Sequence, residues 1–479
     1  MTVLVCLLLA ALAALIAVVI VRTLWFTPKA ETPVDILPVT VDREKIVRDM
    51  QDMIRCRTVS HADESLTDFA EFDKFHALLA ERFPLVHQAA TLEHVGKTGL
   101  LYTLRGKKSD KPSVLMAHYD VVPVTEEGWT RPPFDAIIED GCIWGRGTLD
   151  TKGTLLGVFE ALEALLAEGY VPEQDLYLSF AGDEEVGGGS CPAIVSLLES
   201  RGIVPELVLD EGGAVVSGAF PGVKREYAVI GIGEKGGLDL RFSMASQGGH
   251  ASTPPPRPIL TQLAEAMVKI NKHPFKSRVT LPVEKMLDAL GRHSSFLYRM
   301  IFANLTLFKP VLDLYCRLCG GELNALLRTT VAPTRFEGSP AYNVMPPKAS
   351  FGLNIRLLPG DTIESAVEYL KKVIANDKIS VEVVSGMNPS RISTTDCEGY
   401  DKLIAAIRQT WPEAIAAPYL MMACSDSRHY CAISDKVYRF SAMRLSKEER
   451  GLIHGNDERV PIDTLVTTVA FYQRLLKTL

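Results

Sequence analysis

The sequence of 479 residues lacks the features that mark several large classes of protein. Lysine and arginine form no cluster, and the formal net charge is −7. A nucleic-acid partner is therefore not indicated. Its 9 cysteines are odd in number and scattered, unlike those of a disulfide-stapled domain. Cys316 and Cys319 form a Cys-x-x-Cys pair, but the sequence offers no two further zinc ligands nearby. We therefore interpret them as buried thiols.

The sequence also lacks a second apolar run long enough to cross a bilayer. The one such run extends from Val3 to Val21 without a charged residue and is followed by Arg22. No basic residue precedes it, which favours an uncleaved N-terminal anchor over residues 1–26 rather than a cleaved signal peptide. The Pro-containing residues 27–41 are predicted to be a linker. We expect a single-pass membrane protein whose larger part is extracytoplasmic, with secretion after signal cleavage as the alternative.

The remainder of the chain is predicted to be a large domain that a smaller one interrupts. Over 42–232, apolar runs such as SVLMAHYDVV and DLYLSFAG alternate with helical patterns such as GTLLGVFEALEALLAEG. This alternation predicts an α/β fold, with a mostly parallel sheet and helices on both faces. Residues 233–387 indicate a smaller α+β domain, and residues 388–479 return to the large one.

A long apolar insert, residues 276–330, lies within the smaller domain. Its segment SSFLYRMIFANLTLFKPVLDLYCRLC is apolar at near-helical spacing. We predict a helical hairpin packed on the smaller domain, because apolar helical stripes usually belong to a core. The alternative is a surface that faces lipid or binds an acyl chain.

Histidines and carboxylates follow the predicted buried strands at the points where those strands end. They are His118 and Asp120, then Asp183, Glu184 and Glu185 in FAGDEEVGGG, then Asp210 and Glu211. Asp150 in GRGTLDTKG and His454 in HGNDE add to them. Ligands of open α/β sheets bind at the carboxyl ends of the strands, so we expect these side chains to converge. So many carboxylates need cations, and mixed histidine and carboxylate ligands suit two zinc ions, with cobalt or manganese as substitutes.

Together these motifs resemble those of a family of dizinc metallopeptidases and amidohydrolases. The family includes aminoacylase-1, acetylornithine deacetylase, succinyl-diaminopimelate desuccinylase and carboxypeptidase S. The resemblance covers the chain after residue 40 and rests on AHYDVVPV, WGRGTLDTKG, GDEEVGG, LDEGG, GGHASTPP, NVMPP and the final HG. SRHY, RTT and the long insert are similar to the branch of carboxypeptidase S and the N-fatty-acyl-amino-acid hydrolases.

The resemblance implies a dinuclear zinc site. His118 and Asp210 would hold one ion. Glu185 and His454 would hold the other, and Asp150 would bridge the two.

Two details of this site also come from the resemblance. Asp210 is preferred to Glu211 as a ligand because its spacing from Glu185 matches the family pattern. The peptide bond between Asp150 and Thr151 is implied to be cis.

Three further residues acquire catalytic roles through the resemblance. Glu184 would be the general base that takes a proton from the attacking water and passes it to the leaving nitrogen. Asp120 would accept a hydrogen bond from the second ring nitrogen of His118. His250, from the smaller or lid domain, would help to stabilise the tetrahedral oxyanion, and in dimeric relatives this histidine comes from the partner subunit. Asp183 is left with a supporting role.

Substrate contacts are implied on both sides of the predicted cleft. Asn343 and Arg356 of the lid would contact a substrate carboxylate. The pocket on the large domain would be lined by Ser425, Asp426 and Arg428. Relatives often have Gly-Gly-Thr where this chain has Ala423, Cys424 and Ser425, so the shape of the pocket is expected to differ.

The resulting hypothesis is a zinc-dependent hydrolase that cleaves an amide or peptide bond next to a free carboxylate, like carboxypeptidase S. One alternative is an N-fatty-acyl-amino-acid hydrolase/synthase or an aminoacylase. A distant alternative is a catalytically silent, membrane-tethered scaffold that binds metal. The expected partners are a small molecule or short peptide with a free carboxylate, the membrane, and a second copy of the chain through the lid.

Overall fold

The computed structural model describes residues 2–30 and 33–479, and it opens with one long apolar helix, α1 (Thr2–Trp25). By length and composition α1 could cross a membrane, and its most apolar stretch is not buried against the rest of the chain. Residue 1 of the predicted anchor and residues 31 and 32 of the predicted linker lie outside the described residues.

The first part of the large domain contains five helices and eight strands. The helices are α2 (Arg43–Arg55), α3 (Phe69–Arg82), α4 (Pro84–Ala89), α5 (Lys152–Ala167) and α6 (Ser190–Ser200). The strands are β1 (Thr91–Val95), β2 (Gly99–Leu104), β3 (Lys108–His118), β4 (Ile137–Glu139), β5 (Cys142–Trp144), β6 (Gln174–Ala181), β7 (Leu207–Val216) and β8 (Tyr227–Glu234).

Helix α2 shows how the sequence specifies such elements. The Asp42 side chain accepts a hydrogen bond from the Lys45 backbone N–H, and Ile46, Met50 and Met53 form its buried face.

The smaller domain and the helical insert come next along the chain. The strands are β9 (Gly236–Ala245), β10 (Gly249–His250), β11 (Thr330–Glu337), β12 (Val344–Met345), β13 (Lys348–Leu357) and β14 (Ser380–Met387). The helices are α7 (Ile259–Lys272), α8 (Leu281–Gly291), α9 (Phe296–Ala303), α10 (Leu305–Cys319), α11 (Gly321–Leu327) and α12 (Ile363–Ile374). The chain then returns to the large domain with α13 (Glu398–Thr410), β15 (Ile415–Met421), β16 (Val437–Arg444), α14 (Lys447–Arg450), β17 (Arg459–Pro461) and α15 (Ile462–Leu476).

The large domain is organised around an eight-stranded sheet with the order β1-β2-β6-β3-β7-β16-β8-β15. Strands β6, β3, β7 and β16 are parallel neighbours, as are β8 and β15. Strands β1 and β2 form an antiparallel edge. The predicted α/β fold with a mostly parallel sheet is therefore confirmed. The parallel centre also explains why His118 at the end of β3, the loop after β6 and the irregular middle of β7 lie at one edge.

The smaller domain has its own sheet and its own core. Four antiparallel strands lie in the order β11-β13-β9-β14. Helices α7 and α12 pack on this sheet, and the core between them includes Leu240, Phe242, Leu263, Leu353 and Leu370. We call this α+β unit the lid domain.

The insert packs differently from its prediction. The buried side chains of α8, α9 and α11, such as Met286, Leu290, Phe302 and Leu326, join the core of the large domain. The prediction that the insert packs on the smaller domain is therefore wrong. The periodicity of these helices correctly indicated that they have a buried face, but periodicity carries no information about which sheet covers that face.

Candidate metal centre

His118 ends strand β3 and lies at the centre of the candidate site. Its side chain is buried, and Nε2 is 2.9 Å from Oδ1 of Asp150 and 3.4 Å from Oε1 of Glu211. The other ring nitrogen, Nδ1, is 3.0 Å from the backbone oxygen of Asp120 and 3.3 Å from its Oδ1. Fixing Nδ1 in this way leaves Nε2 facing the carboxylates, as a metal-ligating histidine requires.

Asp150 lies between two histidines. Its Oδ1 is 2.9 Å from Nε2 of His118, and its Oδ2 is 2.9 Å from Nε2 of His454. Burial opposes ionisation of Asp150, but the hydrogen bonds from both histidines lower its pKa below the usual value. The peptide bond from Asp150 to Thr151 is cis, as the resemblance implied. One carboxylate therefore points an oxygen at each of two imidazoles, which is the arrangement of a bridging ligand.

His454 completes the second half of the group. Its Nε2 is 3.1 Å from Oε2 of Glu185, and its backbone has a φ of 61°, in the left-handed region that few residues other than glycine adopt. Such conformations concentrate at functional sites. Hydrogen bonds to Asp150 and Glu185 raise the pKa of His454 to about 10.

The loop after β6 holds two carboxylates through the side chain of Asp120. Oδ1 of Asp120 accepts a hydrogen bond from the backbone N–H of Glu184, and Oδ2 accepts one from the N–H of Glu185. The Ser60 hydroxyl donates to Oδ2 at 2.7 Å. Burial, reinforced by neighbouring carboxylates, raises the pKa of Glu184 well above its usual value. Asp120 therefore positions the GDEE loop as well as the ring of His118.

Asp183 anchors the other end of this loop. Its Oδ2 accepts hydrogen bonds from the backbone N–H of Ser190 at 3.1 Å and from the Ser190 hydroxyl at 2.8 Å. Ser190 is the first residue of α6. Asp183 thereby ties the start of α6 to the loop, which gives the third carboxylate of the motif a supporting role.

The structure distinguishes the two candidate ligands in the middle of β7, Asp210 and Glu211. Glu211 is the carboxylate that approaches Nε2 of His118, and burial together with the charge of Asp150 raises its pKa to about 8. Asp210 is buried, and its Oδ2 accepts a hydrogen bond from the backbone N–H of Ser427 at 2.9 Å. The resemblance prefers Asp210, whereas the geometry favours the alternative, Glu211. The assignment to Asp210 stays a prediction.

The residues present fit divalent cations. Two groups bring one ligand atom from each residue within 4.8 Å of one another: His118, Asp150 and Glu185, and His118, Glu184 and Glu211. Oε1 of Glu185 is buried and has no hydrogen-bond partner among the residues that the structure describes. A buried carboxylate oxygen without a donor is costly unless a cation or water meets it. Imidazole nitrogen and carboxylate oxygen are ligands that zinc accepts.

Glu458 is a supporting residue that the sequence did not single out. It is completely buried, and its carboxylate accepts hydrogen bonds from the backbone N–H groups of Gly147 and Leu149 and from the Arg146 guanidinium. It thus ties the loop that carries Asp150 to the segment that carries His454. Its position in the motif HGNDE was the available signal.

The lid residues do not reach this group of side chains. His250 is exposed, and its Nδ1 is 2.7 Å from the Ser252 hydroxyl. Asn343 is also exposed, and its carbonyl oxygen accepts a hydrogen bond from the backbone of Ala251. The two lie side by side at the pairing of β10 with β12. Their predicted roles stay predictions.

The remaining predicted substrate contacts lie where the two domains meet. Arg356 of β13 has Nη1 3.7 Å from Sγ of Cys424. Ser425 is buried, and its hydroxyl donates to Oε1 of Glu234 at 2.8 Å. The guanidinium of Arg439 also donates to Oε1 of Glu234, at 2.7 Å. Ser425 therefore belongs to a buried polar network in this conformation.

The neighbours of Ser425 are placed differently. Asp426 is largely buried, and within the described part of the chain its Oδ2 has no hydrogen-bond partner. Burial raises the pKa of Asp426 well above the usual value. Arg428 donates to the backbone oxygen of Asn388 at 2.8 Å. Oδ2 of Asp426 is thus available to accept a hydrogen bond, whereas Arg428 is hydrogen-bonded to Asn388, in the segment that follows the lid domain.

Comparison with known proteins adds independent information. Residues 114–478 match the family described as Peptidase family M20/M25/M40. The chain is 35% identical over 415 residues to "Probable carboxypeptidase S-like 2" of Dictyostelium discoideum, covering 85% of this chain and 79% of that one. It is 33% identical over 430 residues to "N-fatty-acyl-amino acid synthase/hydrolase PM20D1" of Homo sapiens, covering 88% and 84%.

Solved structures show the same fold. An M20 family metallo-carboxypeptidase from Sulfolobus solfataricus superposes with a TM-score of 0.68 at 18% identity, covering 90% of this chain and 98% of that one. Human carnosine dipeptidase 1 superposes with a TM-score of 0.62 at 16% identity, covering 91% and 96%. The family match spans most of the chain and includes the histidine and carboxylate motifs described above. The chain belongs to peptidase family M20/M25/M40, and it is a metal-dependent hydrolase.

Proposed function

We propose that this protein uses two zinc ions to hydrolyse an amide bond adjacent to a free carboxylate, as a carboxypeptidase does. The observation that carries the proposal is the carboxylate of Asp150, whose two oxygens lie 2.9 Å from the Nε2 atoms of His118 and His454. Both Glu184 and the candidate ligands are present, which argues against a catalytically silent scaffold.

The residues of the site have separate proposed roles in metal binding and proton transfer. The ions would be held by His118, Asp150, Glu185, His454 and one of the two carboxylates of β7, Asp210 or Glu211. When bound, zinc would polarise the scissile carbonyl and lower the pKa of water. Glu184 accepts a proton from the attacking water and returns it to the leaving nitrogen, and Asp120 holds the backbone of Glu184 in place.

The lid supplies the contacts that the large domain lacks. Closure of the lid, or a partner subunit, would bring His250 to the developing oxyanion. Arg356, already beside Cys424, would bind the substrate carboxylate through its guanidinium, with Asn343 as a second contact. Zinc as the native metal, two ions per chain and a homodimer through the lid are parts of this proposal.

The location of the protein is likewise a proposal. We infer that α1 anchors the chain in a membrane with the catalytic domain extracytoplasmic. The length and apolar composition of α1 support this inference.

A substrate panel tests the proposed reaction. Carbobenzoxy-Gly-Leu and N-acyl amino acids should be hydrolysed, and the same compounds with an amidated carboxyl terminus should be poor substrates. Equal rates on free and amidated compounds would contradict the requirement for a carboxylate.

A cavity favours N-fatty-acyl amino acids as a second substrate class. It has a volume of about 210 Å³ and is lined mainly by apolar side chains of β7, β8, the loop between them and the insert, including Phe220 of that loop and Met286, Leu290 and Phe302 of the insert. Gly212 also lines it and directly follows Glu211 in β7. An apolar cavity that shares strand β7 with the candidate metal centre suits an acyl chain better than a polar peptide.

A substitution that fills this cavity should lower activity on N-fatty-acyl amino acids much more than activity on peptides. Ala219 lines the cavity and is exposed at its edge, so an Ala219→Trp variant should fold normally while occupying acyl space. We expect kcat/KM for N-oleoyl amino acids to fall by about 100-fold, with less than about a twofold change for carbobenzoxy-Gly-Leu. The matched control is Ala167→Trp at the exposed end of α5, which should change neither. Equal losses on both substrates would place the acyl chain elsewhere.

A pair of variants decides which carboxylate of β7 is the ligand. Because Glu211 and not Asp210 approaches His118, Glu211→Gln should lower zinc affinity by about 10–100-fold or more, as loss of a metal contact does. Asp210→Asn should retain both ions and lose stability, since Asp210 accepts the Ser427 N–H. Zinc titration and thermal unfolding of both variants measure this. The reverse pattern would restore Asp210 as the ligand.

A further inference from the structure

Helix α10 presents an apolar face to its surroundings. Leu307, Val311, Leu314 and Leu318 are 46%, 65%, 58% and 77% exposed. Their spacing of three or four residues places them along one side of the helix. Cys316, which lies on the opposite side, is fully buried. A helix on the surface of a water-soluble protein directs its apolar stripe inward, so this stripe indicates a partner.

Helix α9 extends the same kind of surface. Phe296, Leu297 and Tyr298 at its start are 49%, 62% and 41% exposed. Phe302, at the other end of α9, is buried and lines the apolar cavity. A single short helix therefore connects the exposed apolar surface with the apolar cavity, whose wall includes Gly212, the residue after Glu211.

The end of α1 packs directly against α9. Nδ2 of Asn304, immediately after α9, donates to the backbone oxygen of Val19 at 3.3 Å and lies 3.4 Å from the hydroxyl of Thr23. Thr23 is completely buried by this contact, although most of α1 is exposed. The Phe26 ring, one turn later, lies under the guanidinium of Arg292 at 4.4 Å.

Two polar contacts fix the segment that follows α1. Lys29 forms an ion pair with Asp288 at 3.0 Å, and Arg292 donates to the backbone oxygen of Thr27 at 3.1 Å. The position of the helix relative to the insert is thus set by specific contacts on α8, α9 and the residue after α9.

The length of α1 sets the depth of α9. With a rise of about 1.5 Å per residue, the 24 residues of α1 span roughly 36 Å, slightly more than the apolar core of a bilayer. Val19 and Thr23 belong to the last two turns of α1. Helix α9 therefore lies level with the boundary between acyl chains and headgroups on that side of the membrane.

We propose that α9 and α10 form a second membrane contact, in which their apolar faces enter the leaflet where α1 ends. This inference rests on the proposed anchor. The exposed cation Arg317, on the flank of the apolar stripe of α10, suits anionic headgroups at this depth. The contact places α9 between the acyl-chain region and the apolar cavity, so that an N-acyl substrate dissolved in the bilayer reaches the cavity along this helix.

Photolabelling of the full chain in nanodiscs tests this contact. A phosphatidylcholine with a diazirine on its acyl chain is activated, and the lipid adducts are mapped by mass spectrometry. We expect adducts in α1 and on α9 and α10, at a yield at least about tenfold above that around Leu66 and Val204, which are equally exposed apolar residues on other parts of the large domain.

A variant with Leu307, Val311, Leu314 and Leu318 each changed to Gln provides the matched control. It should lose the adducts of α10, keep those of α1, and hydrolyse a water-soluble substrate at the wild-type rate. Its hydrolysis of membrane-dissolved N-oleoyl amino acids should fall by about tenfold, because the membrane contact is weakened.

Three outcomes would overturn the inference. Adducts confined to α1 would show that α10 faces water. Cross-links between two chains at α10, abolished in the Gln variant, would show that a second copy covers the face. Adducts in neither α1 nor α10 would contradict the anchor as well, while the rate on the water-soluble substrate reports separately on the proposed hydrolase.

Discussion

Changing Glu184 to Gln is expected to lower kcat by about 10²–10⁴-fold, the contribution of a positioned general base, while both metal ions stay bound. The amide of Gln keeps the size of the side chain but cannot accept a proton from water. The backbone N–H of residue 184 still donates to Asp120, so the loop should keep its place. Steady-state kinetics and zinc content of the purified variant measure the two quantities together.

The control for this variant is Glu199→Gln, an exposed glutamate at the end of α6. It should match the wild type in rate and in zinc content. Glu184 also lies in a group with His118 and Glu211 whose ligand atoms converge. A Glu184→Gln protein that loses zinc would therefore make Glu184 a ligand, and one that retains its activity would remove it from the reaction altogether.

The largest combined effect on zinc content and activity is expected from Asp150→Asn. Asn offers one carbonyl oxygen in place of two charged oxygens, so it cannot serve both His118 and His454. Zinc content should fall from about two ions per chain to one or none, and activity should drop by more than about 10³-fold, since a shared ligand supports both ions.

Thermal unfolding gives this variant a second readout. Added zinc should raise the unfolding temperature of the wild type, because an ion that binds only the folded state stabilises it. The temperature of Asp150→Asn should respond far less. The exposed Asp110→Asn, on the outer part of β3, is the matched control and should behave as the wild type. A full zinc complement in Asp150→Asn would exclude a bridging role.

Much of the site was predictable because the rule behind it is geometric. In a parallel sheet the carboxyl ends of the apolar strand segments lie at one edge, so His118, Glu185 and a carboxylate of β7 were expected together. The sequence also indicated Asp150 and His454, through a glycine-rich loop and a short terminal motif. The contact of His118 with one oxygen of Asp150 and of His454 with the other depends on loops, whose course no local pattern specifies.

The choice between Asp210 and Glu211 shows where sequence reasoning ends. Neighbouring residues of a regular strand point to opposite faces, so a shift of one residue reverses the assignment. In the structure Asp210 pairs with Arg439 of β16 while Gly213 pairs with Phe440, so β7 has a bulge at residues 211 and 212. A bulge changes the direction of the side chains within it, and nothing in LDEGG alone predicts which of them turns toward His118.

The insert shows a second limit of prediction from sequence. Its helices were predicted from their spacing, yet their apolar residues divide between a buried face on the large domain and an exposed face on α9 and α10. Spacing identifies a stripe but not the medium that covers it. The proposal that a membrane covers the exposed stripe rests on the position of α1, through the contact between Asn304 and Val19, which are far apart in the chain.

The lid residues mark a third limit. His250 and Asn343 are exposed in this conformation. Their predicted roles therefore depend on closure of the lid domain or on a partner subunit, and neither can be read from one arrangement of the domains. Arg356 is the exception, because it already lies against Cys424 of the large domain.

Metal content measured together with activity tests the central claim most directly. The full-length protein is purified, its zinc is quantified by mass spectrometry, and hydrolysis of carbobenzoxy-Gly-Leu and N-oleoyl amino acids is followed before and after chelation. We predict about two zinc ions per chain, loss of hydrolysis on chelation and its recovery as the second ion returns. A protein that hydrolyses these substrates at full rate after its metal has been removed would contradict the proposed mechanism.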